Sequence, residues 1–433
     1  MSGRKASLED LFNPRSVAIV GVSKTPGRIG HEVMSNLVRC GFRGPIYPIS
    51  HKYAEVQDIR CYRSVLDVAD DVDLAFISTP EEYIPKTLEE LGAKGVKVAV
   101  VSSGRRGGPL VDVIRDASRR HGMRALGPSS LGVYHSGNRL NVTPLPLNAG
   151  GGGIALISES KTLGMAAVNH GLSEGLEFSV VVGTGGKADV DDHDILRHLS
   201  EDDGVKSIVI QVETLRDPRA FTDSLRESLK RKPVIVITGS REIIKRLEPM
   251  RKDLLVLKDF TKALDISSMF TERRVRGRRA LILTNSAGAV NLLLGSLEGS
   301  GIEIPVLSES FLDDIRIFVP EGSSARNPID LTSEASPEIF RGVIESSNLH
   351  SDEFDLIVVV YCETNPLELE KFRSMISELK DLISKPLIPI LLGGDPVKRA
   401  VKELRREGIP AYYSITRAAG AMESTVRYFL GLK

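Results

Sequence analysis

The sequence predicts a three-domain α/β protein, a Rossmann-like domain followed by two flavodoxin-like domains. Three observations predict it. Short apolar runs alternate with amphipathic helical stretches along all 433 residues, the pattern of parallel sheets with helices on both faces. A stretch rich in Pro, Asn and Gly without periodicity, 144–153, reads as a linker after the first block. Beyond it, two blocks open alike: GIALISESKTLG (153–164) and RALILTNSAGAV (279–290). Each is a strand, a small polar turn and a helix of about three turns, so the two are related by internal similarity. The domains are then expected at 1–145, 146–271 and 272–433.

In the first domain the apolar runs predict strands at 16–21, 45–49, 74–78, 97–101 and 123–126, with helices between them, such as 28–40 and 85–92. After the repeated openings, second strands are expected at 175–182 and 301–305. Two further strands, KPVIVITG (232–239) and 254–257, follow in the second domain.

Charge and composition exclude several classes of function. Lys+Arg and Asp+Glu both total 57, which removes the usual electrostatic argument for nucleic acid or an anionic membrane as partner. The basic run ERRVRGRR (272–279) has no interleaved aromatic residue and reads as a solvated linker. Cys40, Cys61 and Cys362 are few and far apart, as in a reducing cytoplasm, and form no zinc or disulfide pattern. No apolar run approaches bilayer length, and the N-terminus carries no apolar signal core, so a cytoplasmic location is expected.

The first domain opens with SVAIVGVSKTPGRIG (16–30), a strand, a Gly-rich turn and a helix start. Gly21 allows a sharp turn. Gly27 and Gly30 allow close approach of backbone to a ligand and to the next helix, whose N-terminal N–H groups face an anion. Ser23 and Lys24 add a hydroxyl and a cation at the same place. The second strand ends in Ser50, His51 and Lys52, where a site for NAD usually carries Asp or Glu for the ribose hydroxyls. Lys52 would attract a ribose phosphate. Coenzyme A and NADP both carry one, and both stay open on these residues.

Further motifs follow in order. LFNPRSVAIVGVS (11–23), GFRGPIYPI (41–49), VDLAFISTP (72–80), LGPSSLGV (126–133), ISESKTLG (157–164), KADVD (187–191), VETLRD (212–217) and NPIDLT (327–332) together resemble the NDP-forming acyl-CoA synthetases. The likeness is to the α subunits of ADP-forming acetate–CoA ligases and, more distantly, to succinyl-CoA synthetase α. It implies a CoA-binding first domain and two succinyl-CoA synthetase-like flavodoxin domains. It also implies a coenzyme A or acyl-CoA site lined by the turn from Gly21 to Gly30, by Ser50 and Lys52, and by the strand ends at Thr79, Pro80, Ser102 and Gly104. The family reaction joins an acid to CoA through an acyl phosphate and a histidine that carries the phosphoryl group. ATP or ADP and magnesium would be engaged only through an ATP-grasp β subunit, a homo-oligomer being the other expected assembly.

The sequence departs from that family at the chemistry. The resemblance places the phosphate-carrying histidine after the strand 232–239, but residues 240–253 contain none. The family's turn, of the form SQSG, reads Ser158, Glu159, Ser160 and Lys161 here. Ser158, Ser160 and Lys161 are the phosphate-site candidates; Lys161 would either fill the space of the missing glycine or bind an anion itself, and Glu159 adds an unfavourable charge. Glu213 matches the glutamate that orients the phosphohistidine and is the one catalytic candidate. DDHD (191–194) looks like a metal cluster around His193 but reads better as a helix N-terminus, and His170 as a helix-face residue. No metal site is expected. The resulting expectation is a CoA-binding, α-subunit-like chain impaired in phosphoryl transfer. Its alternatives are an active acyl-CoA ligase subunit and an NADP-binding oxidoreductase, for which no hydride site is evident.

Overall fold

The structure is a computed structural model that describes residues 6–272, 277–320, 323, 326–364 and 366–430. The chain separates into two compact units, Met1–His170 with Phe178–Glu248, and Gly171–Glu177 with Pro249–Lys433.

The first unit holds two sheets. One contains β1 (Val17–Val20), β2 (Ile46–Ile49), β3 (Leu74–Ile77), β4 (Val98–Val101) and β5 (Arg124–Leu126), all parallel, in the order β2-β1-β3-β4-β5. Every expected strand is present within two residues at either end. The apolar runs are continuous because helices cover both faces: β1, β3 and β4 are buried at all four positions. The strand order reverses between β1 and β3, and such reversals open a crevice at the strands' carboxyl ends.

The second sheet contributes β6 (Gly132–His135), β7 (Leu140–Asn141), β8 (Ile154–Ser158), β9 (Phe178–Gly183), β10 (Ser207–Gln211) and β11 (Val234–Ile237) to this unit, in the order β11-β10-β8-β9-β6-β7. The hairpin β6–β7 lies before residue 145, yet β6 pairs antiparallel with β9 of this sheet. Asn141 draws the following segment in by donating to the carbonyls of Leu145 and Leu147. The segment expected as a linker therefore begins as packed chain, with Leu145 and Leu147 buried.

The second unit contains β12 (Leu255–Leu257), β13 (Ala280–Thr284), β14 (Ile329–Asp330), β15 (Leu356–Cys362) and β16 (Leu387–Leu392). The last four form a parallel sheet in the order β14-β13-β15-β16. Phe340, Tyr361 and Phe372 interlock in its core. Asn327 clamps β13 by accepting from Ile282 N–H and donating to the Ala280 carbonyl. Residues 301–305 make only a bridge from Glu303 to Arg279, not a strand. In the basic run, 273–276 lie outside the described residues, and Arg279 forms an ion pair with Asp355 at 3.0 Å rather than facing only solvent.

Gly30 sits in the first turn of the helix Ile29–Cys40, directly over the end of β1. A Cβ there would lie 2.3 Å from the Gly21 carbonyl oxygen, which is backbone and cannot swing away. Gly30→Ala is expected to cost about 1–3 kcal/mol by forcing helix from strand, measured as a lowered denaturation midpoint at unchanged slope.

Candidate functional site

The register of the first sheet sets a row of side chains along its carboxyl edge. Val20 pairs with both Ile49 and Ile77, and Ile77 with Val101. Gly21, Ser50, Ser78 and Ser102 therefore follow side by side. Gly21 has φ +92°, and a Cβ there would lie 3.0 Å from the Thr79 nitrogen, so the turn passes tightly over the end of β3. The Thr79 hydroxyl is buried without a hydrogen-bond partner. Pro80 precedes a short helical turn, Glu81–Tyr83. Gly104 has φ +85° and packs against Leu110.

Within the turn, Ser23 Oγ accepts the N–H of Thr25 at 3.1 Å, and Gly27 N–H donates to Glu32 at 2.8 Å. Space around Gly27 is open. Lys24 lies with its Nζ 6.0 Å from the ring centre of Tyr53. Ser50 Oγ accepts from the N–H groups of Lys52 and Tyr53, which fixes the loop after β2. This loop borders a cavity of about 590 Å³ whose lining includes Ser50, Lys52, Arg60 and Arg63, with Asp67 the single carboxylate. Asp67 already accepts from Ser64 N–H. The cavity is thus a place of positive charge. Arg60 and Arg63 escape a reading of the sequence because a two-stranded hairpin, Glu55–Val56 with Ile59–Arg60, folds them back to the end of β2.

A second cluster gathers where β8 ends. Ser158 Oγ donates to Gln211 Oε1 at 2.8 Å, and Ser160 N–H donates to the same oxygen at 3.0 Å. Gln211 Nε2 in turn donates to Glu213 at 3.2 Å. Ser160 Oγ accepts Leu163 N–H and so caps the helix Lys161–Ser173. Both serines are engaged by their own chain. Gln211, the polar last residue of β10 after the apolar run 208–210, is the hinge of this network, and its place at a strand end was the only sequence signal for it.

Glu159 does not face the helix turn as an exposed charge. Its carboxylate is buried and accepts from Lys187 Nζ (2.9 Å), the N–H groups of Glu213 (2.8 Å) and Thr214 (2.9 Å), and Thr214 Oγ1 (2.7 Å). Burial opposes the charged form, but Lys187 and these donors outweigh it and hold the carboxyl below its ordinary pKa. Lys187 sits between Glu159 and Asp192, the latter at 2.5 Å. Burial pushes the wholly enclosed Asp192 up to about 6.

Glu213, the expected catalytic residue, pairs with Arg106 at 2.9 Å. Arg106, Lys187, Glu159, Glu213 and Arg216 line a cavity of about 580 Å³. Lys161 reaches the other way. Its Nζ donates to the hydroxyl (2.8 Å) and carbonyl (3.1 Å) of Ser102. Burial alone lowers its pKa.

Residues 240–253 fold as the helix Arg241–Leu247, capped by Ser240, and a short turn at Glu248–Met250. Asp191 caps the helix Asp192–Glu201 in a reciprocal pair with Asp194, so His193 stands in a helix first turn. His170 lies on the helix Lys161–Ser173. Among the described residues no group of three His, Cys, Asp or Glu side chains is arranged to hold a metal ion.

The chain is similar to known proteins along its length. Residues 15–136 match the CoA binding domain family and residues 151–251 the succinyl-CoA ligase-like flavodoxin domain family. The chain is 34% identical to the α subunit of ADP-forming acetate–CoA ligase I from Pyrococcus furiosus, over 98% of each chain. It is 32% identical to the ADP-forming acetate–CoA ligase of Methanocaldococcus jannaschii, covering 99% of this chain and 64% of that one. The solved structure of a dinucleotide-forming acetyl-coenzyme A synthetase 1 from Ca. Korarchaeum cryptofilum, in complex with phosphate and ADP, superposes with a TM-score of 0.88 at 32% identity, over 98% of this chain and 97% of that one.

Glu159→Gln tests the buried pair. The variant is expected to lose about 2–3 kcal/mol, since a hydrogen bond to a charged group is replaced by a neutral one. The Glu159 contribution is fully present above the unfolded value near 4.5 and is lost as pH falls through the lower folded value. Denaturant titrations across the acid range should therefore find wild type and variant converging as pH drops.

Proposed function

The chain belongs to the ADP-forming acetate–CoA ligase family as a relative of its α subunit, and on that premise we propose that it binds coenzyme A but does not carry phosphoryl groups on histidine. One observation carries the second half. The segment 240–253 is a short capped helix without histidine, and Glu213 is paired with Arg106 instead.

The residues at the carboxyl edge of the first sheet suit coenzyme A. Lys52, Arg60 and Arg63 offer charge to the ribose phosphate. The turn from Gly21 to Gly30, with Ser23, Lys24 and the open space at Gly27, offers a cation and room to a diphosphate, which would take the place of Glu32 at the Gly27 N–H. The unpartnered Thr79 hydroxyl, with Pro80, Ser102 and Gly104 beside it, offers a donor further along the crevice. The arrangement binds and orients. Nucleotide chemistry, if the assembly performs it, would come from an ATP-grasp partner that also brings magnesium, and the chain would work in the cytoplasm.

A second reading, a working ligase subunit, draws on the retained Glu213 at a cavity of about 580 Å³. There Glu213 would have to leave Arg106 and meet a phosphoryl carrier from another chain.

Two measurements decide. Calorimetry should show coenzyme A binding and no NADP binding, and Lys52→Glu should weaken the former at least about tenfold by replacing attraction with repulsion. Tighter binding of NADP would reverse the assignment. Incubation with labelled ATP and an ATP-grasp subunit of a relative should leave this chain unlabelled at histidine. An acid-labile, base-stable label on it would establish the ligase reading instead.

A further inference from the structure

Lys161 is unusual among the amines of the first unit. Lys187, also buried, lies between two carboxylates. Lys161 is partly buried and is held only by a hydroxyl and a carbonyl, both of Ser102. No carboxylate bears on it. Its position is fixed from both sides. The main chain of Lys161 opens the helix Lys161–Ser173 beyond β8, while the side chain ends at the carboxyl edge of β4. That edge is two strands from the Gly21 turn, with Thr79 between. The amine therefore stands in the crevice assigned above to coenzyme A.

Resting on that assignment, we propose that Lys161 is a self-acylation site whose acyl donor is a CoA thioester bound at the strand ends. The neutral Nζ attacks the thioester carbonyl. A carbon–nitrogen bond forms, the carbon–sulfur bond breaks, and the proton lost from nitrogen goes to the departing thiolate. The products are an Nε-acyl lysine and free coenzyme A, with no change of oxidation state. Three features favour the reaction. The thioester is held by its nucleotide end, so attack is effectively intramolecular. The two Ser102 oxygens hold Nζ in place without neutralising it. Burial lowers the pKa of Lys161, so at a given pH more of it is the free amine than of an exposed lysine. Acylation would also remove the positive charge from the 158–161 turn, so the acyl-CoA supply would be recorded on the protein.

The test uses the full chain with acetyl-CoA, followed by peptide mass mapping over time. Lys161 is expected to gain one acetyl group at least about tenfold faster than the exposed Lys86 and Lys230. Free coenzyme A should slow it, and its rate should level off at a lower pH than theirs. Acetyl phosphate, which lacks the nucleotide handle, should show a smaller preference for Lys161. Ser102→Ala, assayed at acetyl-CoA concentrations that calorimetry shows to saturate it, should reduce the preference for Lys161 several-fold. Calorimetry with coenzyme A on the same preparation separates the two levels of the argument. Binding without any preference for Lys161 overturns this proposal alone. No binding overturns the CoA assignment and this proposal with it.

Discussion

An ammonium enclosed between two carboxylates organises the first unit. Lys187 Nζ meets Glu159 and Asp192, and it also donates to the Thr214 carbonyl at 2.7 Å. Removing three charges from water is costly, and it holds only if geometry and hydrogen bonds leave none of them exposed to apolar surroundings. Glu159 meets that demand by accepting from Glu213 and Thr214 N–H and from the Thr214 hydroxyl, whereas Asp192 has only Lys187 among the described residues, and its burial raises its pKa. Four segments between residues 159 and 214 are pinned by this arrangement: the turn after β8, the loop at 185–187, the start of the helix Asp192–Glu201 and the chain just after β10. The cavity beside Arg106 takes its shape from the same pinning.

This arrangement explains why the two strand-end regions differ in character. At the first sheet, Lys52, Arg60 and Arg63 outnumber the one lining carboxylate, which is itself engaged, so the region attracts an external anion. At the second sheet, the chain supplies its own anions and acceptors. Glu159 occupies the donors at 213–214, Gln211 occupies the Ser160 N–H, and Arg106 neutralises Glu213. A site for a nucleotide and a site for a phosphoryl group make the same demand, positive potential and unfilled donors. At the second of these regions the N–H donors of Ser160, Glu213 and Thr214 are already engaged within the chain.

Much of the architecture was legible because it depends on local pattern. Continuous apolar runs such as 74–78 and 97–101 became strands nearly residue for residue, and DDHD became a capped helix start, because strand burial and capping are set by neighbours in sequence. The strand expected at 301–305 failed where no second partner continued the pairing beyond the Glu303 bridge. Contacts between distant segments were not legible. Arg60 and Arg63 act at the end of β2 only because a hairpin returns them there. Glu159, which looks like an unwanted charge in the turn, is stabilised by residues 28 to 55 positions away.

Lys161 joins these levels. From sequence it was either a plug for the space that a glycine leaves or a cation for an anion. Its observed direction, away from the self-neutralised cluster and onto Ser102, follows from charge balance. The carboxylates near the turn are already matched by Lys187 and Arg106, so a further cation gains little there. The flexible side chain instead finds hydroxyl and carbonyl acceptors across the crevice. The residue that departs from the family turn therefore spends its amine on Ser102. It carries an amine from the turn after β8 to the carboxyl edge of β4 in the first sheet.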